Sequence, residues 1–138
     1  MVRLARIEGK VMTQLYVKRQ MGNLGEEELH TISRLDTELQ LWKDGLPLEI
    51  RPEAVPYETL PGQTVCLTLH FIYYNCLSAI HRISVYTPVK APMNPRVLAS
   101  TRVHLMAARN IIYLVRFIED NHNLMIWYVI CLLFGSRD

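Results

Sequence analysis

Three cysteines, six glycines and three phenylalanines among 138 residues leave several architectures without their raw material. Cys66, Cys76 and Cys131 are odd in number, far apart and set among apolar neighbours, which suits reduced core thiols better than a disulfide frame. No paired Cys-x-x-Cys occurs, and His70, His81 and His104 share no short-spacing motif, so no metal centre is expected, and no cofactor. The N-terminus "MVRLARIEGK" has no apolar signal core. The apolar run "LMIWYVICLLF" at 124–134 has eleven residues. That is about half of the roughly 20 needed to cross a bilayer, so no membrane partner is expected. A net charge of +2 is too small to imply nucleic-acid binding by itself. Carboxylates are unevenly scarce: 1–62 hold ten against eight Lys/Arg, whereas 63–138 hold three against seven.

What is present is apolar and helical in period. Half of the residues are hydrophobic and a fifth are charged, enough to build a core rather than a disordered tail. The punctuation predicts five helices in an all-α, irregular bundle, a single helical domain over 1–138. In the first, Leu4, Ile7, Val11, Met12 and Leu15 recur on one face, and "MGNLG" stops it. The second begins with Asn23 as cap, with Glu26 three positions on and Glu27 and Glu28 in the first turn. Leu29, Ile32, Leu35, Leu39, Trp42 and Leu46 mark its apolar face, and Gly45 and Pro47 end it. A connection over 47–62 carries four prolines.

The third helix, about 63–83, is apolar nearly all round, which marks a buried element rather than a surface one. Asn94-Pro95 restarts the chain, Asn as cap and Pro at the first helical position. The fourth helix, about 95–119, is expected to turn Leu98, Leu105 and Ile112 to the core. A fifth, 124–134, has no polar face. Three amphipathic helices cannot readily enclose two all-apolar ones, so the fifth is expected to pack on protein outside this chain or on a second copy.

Four segments stand in a recognisable order: "LARIEGKVMTQLY" (4–16), "ISRLDTELQLWKDGLPLEIRP" (32–52), "LTLHFIYYNCLSAIHR" (67–82) and "AARNIIYLV" (107–115). Together they resemble the middle homology (regulatory) region of fungal zinc-cluster transcription factors, over nearly the full chain. The resemblance implies an all-α regulatory domain, located in the nucleus, that restrains or releases transcriptional activation, sometimes in response to a small molecule. The six-cysteine DNA-binding cluster of such proteins is missing, so no direct nucleic-acid contact by this segment is expected. Ile83 stands where the family usually has Pro after His-Arg, so the third helix is expected to run on. The region is normally longer, so the chain reads as a fragment or shortened form.

Within "LHFIYYNCLSAIHR" (69–82), Tyr73, Tyr74, Asn75, His81 and Arg82 could edge a pocket, since two phenols, an amide and an imidazole can orient a ligand among apolar walls. The competing reading is structural, with buried rings whose polar tips bond backbone, and the residues favour it. Cys66 and His70 lie four apart and Cys76 and His81 five apart, but 63–83 contains no carboxylate to orient a base, so cysteine catalysis is not expected. Arg102, Arg109 and Arg116 repeat every seven residues on one helix face, a candidate interaction face. The acidic second helix, with Asp36, Glu38 and Asp44, is their expected internal partner.

The sequence thus points to a non-enzymatic regulatory or interaction domain, modulating transcription through a hydrophobic small-molecule effector, a protein partner or self-association. Alternatives are a stand-alone helical module that dimerises or holds a hydrophobic metabolite, and a small helical enzyme using His81 or His70 as acid or base.

Overall fold

The computed structural model describes residues 2–17, 25–53, 63–86 and 94–117. Helix α1 spans Val2–Val11 and widens into a π-helical turn at Met12–Val17. Helix α2 spans Glu26–Asp44, followed by a 3-10 turn at Leu48–Ile50. Helix α3 runs Gln63–His81 and tightens into a 3-10 turn over Arg82–Tyr86, and α4 covers Pro95–Val115. The described residues are all-α, with four long helices where the punctuation predicts five. The expected fifth helix, 124–134, lies outside the described residues, as does Cys131.

Among the described residues the core is one cluster, and α3 is its axis: it touches α1, α2 and α4, most extensively α4. Cys66, Leu67, His70, Phe71, Ile72, Tyr73, Tyr74, Cys76, Leu77, Ile80 and His81 are all buried, on every side of the helix. This is the burial that an all-round apolar pattern demands. Ile83 is 1% exposed within the 3-10 turn, so the chain does run on past His81 and Arg82, in a tighter winding. Leu4, Ile7, Val11 and Leu15 of the first helix are buried as expected, but Met12 is 46% exposed, off that stripe.

In α2 the stripe Leu29, Ile32, Leu35, Leu39 and Trp42 is buried, and Leu46 packs against the cluster half-buried. Its N-cap is Gly25 rather than Asn23, which falls outside the described residues. Glu28 folds back so that its Oε2 accepts from the Gly25 N–H at 2.8 Å. Only that half of a capping box exists, since glycine offers no side chain, and a Cβ there would sit 2.9 Å from Glu28 Oε2. At the other end Gly45 is right-handed, and Arg51 caps the terminal carbonyls, donating from Nη2 to Asp44 O at 2.6 Å and from Nε to Leu46 O at 3.0 Å.

Helix α4 begins as expected, Asn94 Oδ1 accepting from the Arg96 N–H at 2.9 Å with Pro95 behind it. Its inward face is not the expected one. Ser100, Ala107, Ile111 and Leu114 are buried, whereas Leu98 is 37%, Leu105 54% and Ile112 71% exposed. Small side chains at 100 and 107 let α4 approach α3 closely, and polar pairs cross the seam: His81 Nδ1 to Ser100 Oγ at 2.8 Å and His104 Nδ1 to Ser78 Oγ at 3.1 Å. A helix facing polar partners of α3 needs matching polar groups, and the all-apolar Leu98 line could not supply them.

Candidate functional site

Two helices carry the same spacing on facing flanks. Asp36, Gln40 and Lys43 of α2 and Met106, Asn110 and Tyr113 of α4 each fall at i, i+4 and i+7, so each trio lines one helix face. Between them Tyr73, Tyr74 and Leu77 of α3 form the floor, and Pro52 and Glu53 close one rim. The result is an open cleft of about 490 Å³.

The floor is aromatic. Trp42 stacks on Tyr73 at 6.3 Å between ring centroids, and Tyr73 meets Tyr74 edge-on at 5.0 Å. The two hydroxyls point to the rim, Tyr73 to Gln40 Oε1 and Tyr74 to Pro52 O, each at a long 3.4 Å. Burial, with the Glu53 charge adding to it, pushes both phenols up to about 12. Lys43 Nζ pairs with Glu53 Oε1 at 2.6 Å, which holds the rim across the cleft mouth. His70, wholly buried beneath, anchors the same segment through Nε2 to Ile50 O at 2.9 Å.

Asp36 is the charged centre of one wall. Burial raises its carboxyl, but His81, the Gln40 amide at 3.1 Å and the Lys43 charge outweigh burial and leave it below the usual range. His81 Nε2 lies 3.7 Å from Asp36 Oδ1, too long for a hydrogen bond, so the contact is electrostatic and that nitrogen has no hydrogen-bond partner. The string Asp36–His81–Ser100 lines up an acid, an imidazole and a hydroxyl. The hydroxyl at its end is sealed, however: Ser100 is 5% exposed and does not reach the cleft. The string therefore presents no nucleophile to a substrate in the cleft.

The five pocket-edge residues expected from the sequence separate. Tyr73 and Tyr74 line the cleft, and His81 stands one layer behind Asp36. Asn75 and Arg82, seven apart, fall on the other side of α3. Arg82 there lies over the Tyr16 ring at 5.2 Å and donates from Nε to its hydroxyl at 3.3 Å, while Tyr16 in turn donates to Ala79 O at 2.6 Å. Arg102, Arg109 and Arg116 are exposed. Their expected acidic partners are engaged elsewhere: Asp36 with His81, Glu38 with Lys10 at 2.6 Å, and Asp44 with Arg51 at 4.0 Å. Sequence reading missed Asp36, Gln40, Asn110 and Met106 as lining residues. Their signal was the shared i, i+4, i+7 spacing, which matters only once two helices are known to face each other.

Among the described residues no group of three or more His, Cys, Asp or Glu is placed to hold a metal ion, and no helix is long and apolar enough to cross a membrane.

No family model matches the chain, and no solved structure matches it. Over 145 residues it is 36% identical to a protein of Aspergillus fumigatus named ABC-transporter-regulating transcription factor, covering 94% of this chain and 16% of that protein. A protein of the same name from Aspergillus oryzae is 35% identical over 143 residues, covering 93% of the chain and 16% of its own length. The chain thus spans 16% of the length of the curated relatives it matches. Over almost its whole length, this chain is similar to one stretch of fungal transcription factors.

Proposed function

We propose that this chain is a non-enzymatic regulatory region of a fungal transcription regulator that works in the nucleus, equivalent to the middle homology region. On this reading it adjusts the output of a protein controlling ABC-transporter genes. The observation that carries the reading is the similarity itself, 35–36% identity over more than nine-tenths of the chain to two proteins named for that activity.

The cleft gives the reading a mechanism. Its volume of about 490 Å³ lies within the range of small-molecule sites, roughly 300–1,000 Å³. Apolar surface from Leu77, Val103, Met106 and Leu114 would hold the body of an amphipathic effector, and Asp36, Gln40 and Asn110 would orient its polar end. Three helices and the Pro52–Glu53 rim meet there, so an occupant that prefers one packing of α4 against α2 shifts the population of the whole region.

A reporter assay tests this. The chain is inserted between a heterologous DNA-binding module and an activating segment in a fungal cell. The proposal expects reporter output to change relative to a flexible linker of equal length, with DNA occupancy unchanged. Equal output from a folded, expressed insert would defeat it.

A further inference from the structure

The outward side of α4 has the pattern of a helix seam, and among the described residues no second helix covers it. Leu98, Leu105 and Ile112 repeat every seven residues, and Thr101, Ala108 and Val115 fall three positions after each, so the six occupy the a and d positions of a heptad. This line runs beside the buried face rather than on it: Leu98, Leu105, Ile112 and Val115 are exposed, Ile112 at 71%, while Thr101 and Ala108 on its inner edge are half-buried, Thr101 Oγ1 donating to Ser84 Oγ at 3.1 Å. Arg102, Arg109 and Arg116 take the e position of the same heptads, and all three are exposed. No acid occurs anywhere in α4, and among the described residues neither Arg102 nor Arg109 is paired with a carboxylate. The cleft lies on the opposite flank of the helix, so the seam is a separate surface.

Charge selects the occupant. Residues at e positions face the flanking positions of a partner helix and decide which partner is accepted. A second copy of α4 laid antiparallel would set arginine against arginine. No other described helix of a second copy offers an acidic row of matching length. The exposed acids of α2, Glu26, Glu27 and Asp44, sit at its two ends with His30, Ser33, Arg34, Thr37 and Leu41 between them. Glu26 and Asp44 are already paired with Arg96 and Arg51, and α1 exposes Arg3 and Arg6. We propose that the Leu98–Arg116 seam of α4 docks an acidic amphipathic helix of a partner protein, its apolar side on Leu98, Leu105 and Ile112 and its carboxylates on Arg102, Arg109 and Arg116. The seam is about 27 Å long at 1.5 Å per residue, which fits a partner helix of about three heptads.

The test uses the 138-residue chain and two labelled peptides of about three heptads. Both carry Leu at a and d; one has Glu at e and g, the other Lys. Fluorescence anisotropy should show the Glu peptide binding about tenfold more tightly at low salt, with the gap closing near 1 M salt, where the Debye length is about 3 Å. The double variant R102E/R109E should reverse the preference, and Leu105→Asp should abolish binding of both peptides. These side chains are exposed, so far-UV circular dichroism should be unchanged; should the double variant lose helicity, Leu105→Asp carries the test alone. Equal binding of both peptides, a preference that survives R102E/R109E, dimerisation of the chain that Leu105→Asp removes, or displacement of the Glu peptide by duplex DNA would each overturn the proposal.

Discussion

His70 offers a perturbation whose size and pH dependence both follow from the structure. It is 0% exposed, and its Nε2–H donates to Ile50 O at 2.9 Å, tying the Leu48–Ile50 turn, and with it the cleft rim, to α3. His70→Leu keeps most of the volume and removes that donor. An unsatisfied buried acceptor costs about 1–3 kcal/mol, and because Ile50 is half-buried its carbonyl regains some water, which places the cost at about 1–2 kcal/mol. His70→Ala adds lost packing and should cost about 2–5 kcal/mol.

The pH dependence is the sharper signature. Burial holds the His70 imidazole below 6.5, against the opposing pull of the Ile50 hydrogen bond and the Glu53 charge. The unfolded chain takes up that proton near pH 6.5 and the folded chain only lower, so in between the unfolded state binds more protons and stability rises with pH. The share owed to His70 is therefore complete above that pH and is lost as pH falls. Urea unfolding followed by circular dichroism at about pH 7.5 and about pH 5.5 measures it in wild type and His70→Leu. The variant should be weaker at the higher pH and should lose less on acidification. If both proteins lose the same stability between the two pH values, the imidazole is not held neutral in the core and the reasoning fails.

Other predictions follow from the same burial pattern. Ile111→Ala should cost about 2–4 kcal/mol and Ile112→Ala less than about 0.5 kcal/mol, although the two are neighbours, because Ile111 is 6% and Ile112 71% exposed; thermal melts of the pair check it. In spectrophotometric titration Tyr73 and Tyr74 should ionise only near pH 12, so Tyr73→Phe and Tyr74→Phe should each remove one phenol from that high-pH step. The Cys76 thiol, pushed up to about 12 mainly by burial and further by Glu8, should resist a thiol reagent at pH 8 until the chain is unfolded.

The helices were legible wherever one residue type dominated a face. Leu29 to Trp42 could be placed from period alone, because each apolar residue of that stripe is large and no rival stripe exists on α2. The all-round apolar character of α3 announced its central place in the same way. Helix α4 carries two heptad lines, and period cannot rank them. The larger side chains sit on the exposed line, while the buried one holds Ser100 and Ala107, chosen for close approach to α3 and for polar matching with His81. The cap of α2 was misplaced by two residues because Asn23 has the better side chain, yet Glu28 reaching back to a bare Gly25 amide satisfies the same orphan donor. Of the cleft, the adjacent tyrosines Tyr73 and Tyr74 could be singled out from the sequence, although Asn75 beside them lies on the other side of α3; the walls could not, since Asp36 and Asn110 come from helices 74 residues apart in sequence.

The regulatory reading is tested most directly by closing the cleft without disturbing the core. Asn110→Trp places an indole between the α2 and α4 walls at a half-buried position, and Leu41→Ala, at a site 63% exposed and away from the cleft, is its control. In the reporter fusion, with DNA occupancy measured in parallel, the account predicts that Asn110→Trp alone abolishes the modulation conferred by the wild-type chain. Modulation unchanged in a folded Asn110→Trp fusion would contradict it.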